Sequence, residues 1–202
     1  KVIVASSFTA KSLSLLNKKK QLNIKIIPYG IDLPKTKIIN SRKVNEKFKI
    51  FFAGRPTISK GIHYLIKSLS QLDFPWEVEI AGSIPEKPVE ISKKLHSFFK
   101  DDRCKFLGQI SNKDVLKKMQ NSHVFLFPSL FEGFGQVILE SLSSSLPIVT
   151  TENTGGMDFI ENGKNSFITP IRDEINTVEI LNKLYLDEEY RRYISENSYL
   201  TA

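Results

Sequence analysis

The sequence predicts an α/β fold, a parallel sheet with helices on both faces. Three observations carry that prediction. Short strips rich in β-branched and aromatic residues alternate with segments of helical period along most of the chain. Strips such as Val124-Phe125-Leu126-Phe127 are apolar without interruption, as strands buried on both faces of a parallel sheet are. The 202 residues are 41% hydrophobic and 25% charged, a balance that excludes a disordered tail or a collagen-like chain and leaves an ordinary globular one.

Taken in order, Val2 to Ala5 reads as a strand, Thr9 to Lys18 as a helix with Leu13 and Leu16 on one face, and Ile24 to Ile27 as a second strand closed by Pro28-Tyr29-Gly30. Asp32 to Lys47 holds Pro34, many charges and no sustained period, the composition of a linker. The pattern restarts with a strand at Lys49 to Ala53, a loop from Gly54 to Lys60, and a helix from Gly61 to Gln71 with Leu65, Ile66 and Leu69 inward. Strand Trp76 to Ala81, helix Val89 to Lys100, strand Cys104 to Leu107 and helix Asn112 to Gln120 follow. The last pairs are strand Val124 to Phe127 with a helix from about Gln136 to Ser144, and strand Ile148 to Thr150. Strand and helix in strict alternation give right-handed crossovers and a Rossmann-like sheet, whose ligands bind beyond the carboxyl ends of the strands. The loops opening at Gly54, Gly82, Gly108, Pro128 and Thr151 are therefore the places to look for chemistry.

Composition narrows the function classes. A single cysteine, Cys104, forms no internal disulfide and reads as a half-buried thiol in a reducing, cytoplasmic setting. No apolar run approaches the ~20 residues of a membrane-spanning helix. Lys1 opens a strand already in progress, so the chain is expected to be a fragment. The net charge of +7 asks for acidic partners, but its lysines are scattered, as solubility requires. The densest cluster, Lys18 to Lys20, reads as a helix C-terminus, with peripheral contact to an anionic membrane as the minor alternative. No groove-reading or stacking motif accompanies the charge, so a nucleic-acid partner is not expected.

The most informative stretch runs from Phe127-Pro128-Ser129 through Glu132-Gly133-Phe134-Gly135 to Glu140. A buried strand ends at Pro128, Gly133 and Gly135 let the backbone approach a ligand, and a helix opens with its free N–H groups outward, a site for a phosphate. Glu140, at ~1.5 Å of rise per residue, falls about 10 Å from Glu132, so the two carboxylates bracket a pyrophosphate and can accept from sugar hydroxyls on either side. The plain alternative is an acidic residue near a helix N-terminus and an ordinary surface glutamate. The second stretch, Gly54-Arg55-Pro56-Thr57-Ile58-Ser59-Lys60-Gly61, also follows a strand. Arg55 can fork onto two phosphate oxygens and Lys60 supplies a point charge. In the third, Thr151 to Asp158, the Gly155-Gly156 turn either offers amides to a ligand or reverses the chain. His63, His96 and His123 stand far apart and beside no nucleophile, and no cluster has metal-ligand spacing, so neither a triad nor a metal site is expected.

Together Gly54-Arg55, Lys60-Gly61, Phe127-Pro128-Ser129, Glu132-Gly133-Phe134-Gly135, Glu140, Pro147 and Gly155-Gly156 resemble the family-four (group 1) glycosyltransferases of the GT-B fold. The resemblance covers nearly the whole chain. It implies the donor-binding, C-terminal half of such an enzyme: residues 1–32 ending the acceptor-side domain, 33–47 linking, and 48–202 binding the donor without the final C-terminal helix. It implies retaining transfer of a hexosyl or N-acetylhexosaminyl group from a nucleotide-diphosphate sugar, a UDP-sugar in preference to a GDP-sugar, with no metal or other cofactor. By position Arg55 and Lys60 would hold the diphosphate, Glu132 and the Gly133 to Gly135 amides the donor sugar and its phosphate, and Glu140 the ribose. Gly54 and Phe134 belong to the same donor-binding set. The glycan or lipid-linked acceptor would meet residues outside this chain, so the chain alone is expected to bind donor and transfer little. Bacterial surface polysaccharide (O-antigen or capsule) assembly in the cytoplasm is the expected setting; the alternative is a nucleotide-sugar-binding module without catalysis. Asp158, Ser143-Ser144 and Ser166 depart from the family's commoner residues.

Overall fold

Each strip that reads as a strand does so because its side chains have somewhere dry to go on both sides. The computed structural model describes residues 1–16, 22–33, 46–83, 97–98 and 100–202. Strands β1 (Val2–Val4) and β2 (Ile24–Ile26) pair in parallel around helix α1 (Ser7–Leu16) as a small unit of their own. The main sheet contains β3 (Phe48–Ala53), β4 (Trp76–Ala81), β5 (Cys104–Gly108), β6 (Val124–Phe127), β7 (Ile148–Thr151) and β8 (Phe167–Thr169), all parallel, in the order β5-β4-β3-β6-β7-β8. Its helices are α2 (Ile62–Leu69), α3 (Asn112–Gln120), α4 (Gln136–Ser143), α5 (Glu174–Leu186) and α6 (Glu188–Thr201). They cover both faces: α2 packs on α5, while α4 packs on α3 and α6.

The strand order reverses between β3 and β6, which pair side by side although they are far apart in sequence. At such a reversal the flanking crossovers leave in opposite directions and open a crevice at the carboxyl ends of the two strands. Lys49 apart, both strands are apolar: Ile50 and Phe51 pair with Val124 and Phe125, and these four with Phe52 and Leu126 have essentially no exposure. Each fully buried Phe or Leu contributes ~1.5–3 kcal/mol, so the two loops that matter spring from the stiffest part of the sheet.

β4 is different. Trp76, Val78 and Ile80 are buried, but Glu77 and Glu79 alternate with them and reach Lys105 at 3.6 Å and Lys118 at 2.9 Å. A cleft of about 550 Å³ lined by Lys49, Glu77, Glu79, Ile110 and Lys117 lies there, and Met119 is the one buried residue of α3.

Several expectations change at the edges. Helix α1 starts at Ser7 rather than Thr9, because Ser6 caps it by accepting the Thr9 N–H at 3.1 Å, and it leaves Leu16 85% exposed instead of packed. Beyond Asp158 the chain adds β8 and two helices that periodicity had not separated, each opened by an aspartate: Asp173 accepts from Asn176 N–H and Asp187 from Tyr190 N–H. Trp76, at the start of β4, lies in the core. The Lys18 to Lys20 cluster, most of the linker, His96 and most of the helix expected at Val89 to Lys100 lie outside the described residues.

Candidate functional site

Two loops leave the sheet at the reversal, one after β3 and one after β6, and they are fastened to each other. The Leu130 N–H donates to the Ser59 carbonyl at 2.8 Å, and the Ser129 hydroxyl donates to the same carbonyl at 3.0 Å. Gly61 sits at φ +70°, and a Cβ there would stand 1.7 Å from the Pro128 carbonyl oxygen. Only a glycine lets the β3 loop pass that close.

The β6 loop is braced on its other side by the turn after β7. The Thr151 hydroxyl donates to the Ser129 carbonyl, the Glu132 N–H donates to Asn153 O at 3.0 Å, and the Gly155 N–H returns to Glu132 O at 3.2 Å. The Gly155-Gly156 turn therefore serves as a brace, with Gly155 pressed against the Phe134 backbone. Gly135, at φ +72°, turns the chain into α4 as its N-cap.

Two of the predicted residues meet across this crevice. Lys60 and Glu132 form an ion pair between the loops, with Lys60 also 5.6 Å from the Phe127 ring. Arg55 is exposed and, among the described residues, its guanidinium makes no ion pair or hydrogen bond. Glu140 lies just over one turn into α4 and accepts from the Asn112 side chain at 2.8 Å. Phe134 is buried edge-on against Tyr29 and Phe159, so its ring packs and only its backbone can face a ligand. Gly133 turns toward Thr9 of α1, and its carbonyl accepts from the Ser6 hydroxyl and, at 2.9 Å, from the Thr9 hydroxyl.

Chemically the crevice brings hydrogen-bond donors of two loops to one edge of the sheet. The first-turn amides of α4 and the Arg55 fork supply donors, while Lys60 and Glu132 neutralise each other. Sequence reading missed Ser6, Thr9 and Asn112, which lie far from Gly133 and Glu140 in the chain; no local spacing links them. The other chemistry-bearing residues stand apart. His123 Nδ1 accepts the Lys49 N–H at 2.8 Å and stacks on Phe48, a structural role. Burial pushes the Cys104 thiol up to about 12. Among the described residues no group of three or more His, Cys, Asp or Glu could hold a metal ion, and no helix is long and apolar enough to cross a membrane.

A six-stranded parallel sheet with helices on both faces, whose order reverses between two strapped loops, defines an α/β domain of the Rossmann-like kind. The chain belongs to the glycosyl transferases group 1, the family that matches residues 34–201. It is 28% identical to the capsular polysaccharide biosynthesis glycosyltransferase CapM of Staphylococcus aureus, over 98% of this chain and 52% of CapM. It is 27% identical to the uncharacterized glycosyltransferase YqgM of Bacillus subtilis, over 96% of this chain and 54% of that protein. The chain thus spans about half the length of these relatives. Among solved structures it superposes on Anabaena HepE in complex with UDP-glucose with a TM-score of 0.83 at 24% identity, over 98% of this chain and 57% of HepE. It also superposes on the C-terminal domain of a group 1 glycosyl transferase, LpcC, from Francisella tularensis, with a TM-score of 0.67 at 21% identity, over 76% of this chain and 83% of that domain. The parallel six-stranded sheet with helices around it matches these glycosyltransferase structures, as the sequence led one to expect.

Proposed function

We propose that residues 48–202 form the nucleotide-sugar half of a retaining glycosyltransferase that moves a sugar from a nucleoside-diphosphate donor to an acceptor hydroxyl. The observation that carries this reading is the juxtaposition, at the strand-order reversal, of the Arg55 and Lys60 loop with the open amides at the start of α4. Transfer breaks the bond between the anomeric carbon and the diphosphate oxygen and forms one from that carbon to the acceptor oxygen; the leaving diphosphate takes the electron pair, and the acceptor's proton passes to it or to water. Arg55, the α4 amides and Lys60, once a ligand draws it from Glu132, stabilise the charge that develops on that oxygen. Glu132, freed in the same exchange, accepts from donor sugar hydroxyls; Glu140, oriented by Asn112, accepts from the ribose. UDP is the favoured carrier, since HepE is described in complex with UDP-glucose, and likeness to CapM favours surface polysaccharide as the product. Acceptor binding belongs to regions of the whole protein outside this chain.

The test is calorimetric titration with UDP, GDP and UDP-glucose, alongside Arg55→Ala and Glu140→Ala. Hydrogen bonds to charged groups contribute ~1.5–3 kcal/mol, so each substitution is expected to weaken nucleotide binding by about 10–100-fold. Binding to none of the three by the folded chain would refute the reading for this chain.

A further inference from the structure

The small unit β1-α1-β2 touches the donor loop through a specific set of polar contacts. Ser6, with no exposed surface, ends β1 and caps α1: its Oγ accepts the Thr9 N–H at 3.1 Å, which leaves its single O–H proton to donate to the Gly133 carbonyl. The Thr9 hydroxyl donates to the same carbonyl at 2.9 Å. Both lone pairs of one carbonyl oxygen are thereby occupied by hydroxyls from another structural unit. Beside them the Ser7 N–H, at the start of α1, donates to Asp158 at 2.7 Å, and the Ser7 hydroxyl donates to the other oxygen of that carboxylate. Phe8 meets Phe131 edge-on at 5.2 Å, and Tyr29 meets Phe134 at 4.9 Å. The whole of 131–134 is held from one side.

This grip has a directional consequence. The peptide between Gly133 and Phe134 is trans, so its N–H points opposite to its C=O. With the carbonyl drawn toward α1, the Phe134 N–H is turned away from α1, and among the described residues no backbone partner takes it. It joins the first-turn amides of α4 as a donor for an anion.

We propose that Ser6 and Thr9 are positioning residues that set the plane of the Gly133–Phe134 peptide so that the Phe134 amide is presented to the donor's phosphate. This rests on the donor-site reading above and assigns the acceptor-side unit a direct part in donor binding. The Gly133 position is correspondingly tight: a Cβ there would lie 3.3 Å from Thr9 Oγ1.

Gly133-Phe134 is the sole Gly-Phe pair in the sequence, so labelling glycine carbonyl with carbon-13 and phenylalanine nitrogen with nitrogen-15 yields one correlation peak that reports this peptide. The measurements use this chain, Thr9→Val and Thr9→Ser, first free and then titrated with UDP. Thr9 is partly exposed at the surface, and Thr9→Val keeps its shape, so folding is retained. In the free protein Thr9→Val is expected to move the Gly133 carbonyl resonance upfield, and Thr9→Ser to restore it. One net hydrogen bond is ~1 kcal/mol, so UDP binding to Thr9→Val is expected to weaken about fivefold, again restored by serine. An unmoved carbonyl resonance would overturn the grip. A moved resonance with unchanged UDP affinity would overturn the positioning role while leaving the donor site standing. A wild-type chain that does not bind UDP would remove the donor reading and this role with it.

Discussion

Gly61→Ala tests how the two site loops are joined. At φ +70° an alanine adopts the left-handed region at a cost of ~1–2 kcal/mol. Its Cβ would in addition lie 1.7 Å from the Pro128 oxygen and 2.6 Å from the Pro128 carbonyl carbon, both main-chain atoms that no rotamer change can move. One loop must retreat, and the first contacts to stretch are the bonds from Leu130 N–H and Ser129 Oγ to Ser59 O. At ~0.5–1.5 kcal/mol for each hydrogen bond, the total loss is about 3 kcal/mol. For a chain of this size 1 kcal/mol shifts Tm by ~2–4 °C, so about 6–12 °C is expected. Urea and thermal denaturation followed by circular dichroism measure it, with two controls. Gly108→Ala carries the same backbone strain at φ +66° but meets nothing within 4 Å, so it isolates the conformational part; Gly30→Ala carries neither and is expected to be neutral. If Gly61→Ala matched Gly108→Ala, the argument that the β3 loop is packed against Pro128 would fail.

Two further outcomes follow from titratable groups away from the crevice. Burial first, then the nearby Lys67 and Arg172, hold His63 below its ordinary value of 6.5, with Glu174 opposing. A depressed value favours the neutral form in the folded state. Its contribution is therefore complete above pH ~6.5 and lost as pH falls through that value toward the lower folded one. Urea midpoints of the wild type are expected to drop between pH 7 and 5 by more than those of His63→Gln; parallel curves would exclude this role. Cys104, pushed up to about 12 by burial, is expected to react with iodoacetamide at pH 8 about a thousandfold more slowly than a free thiol, and to reach the free rate in urea. Rapid labelling of the folded chain would contradict its burial.

The sheet was legible in the sequence because its decisive strands carry their evidence locally. Ile50-Phe51-Phe52 and Val124 to Phe127 are dry on both faces, and an unbroken apolar strip flanked by glycine or proline has few other uses. The two site loops were legible for the same reason: each begins where such a strip stops. What stayed hidden is what depends on partners distant in the chain. Nothing near Lys60 announces Glu132, and nothing near Ser6 announces Gly133. Even the start of α1 was misplaced, because Ser6 was not recognised as a cap. Phe134 was read as a ligand contact, but its ring is core and its amide is what remains available. Periodicity also gave no sign of β8, three residues long, or of where α5 gives way to α6 at Asp187.

The charged strip on β4 gives α3 a footing that, among the described residues, the other helices of the sheet lack. α3 fully buries Met119, rests Val115 and Leu116 on the core, and otherwise faces the cleft spanned by the Lys118–Glu79 pair. Part of its hold is therefore an ion pair at the surface, which water and salt replace well, unlike the dry contacts of the β3–β6 seam. The same helix carries Asn112, which steadies Glu140 at the rim of the crevice. A helix held in part by charge thus steadies a carboxylate on its neighbour α4, so added salt is expected to be felt at Glu140 before the sheet itself yields.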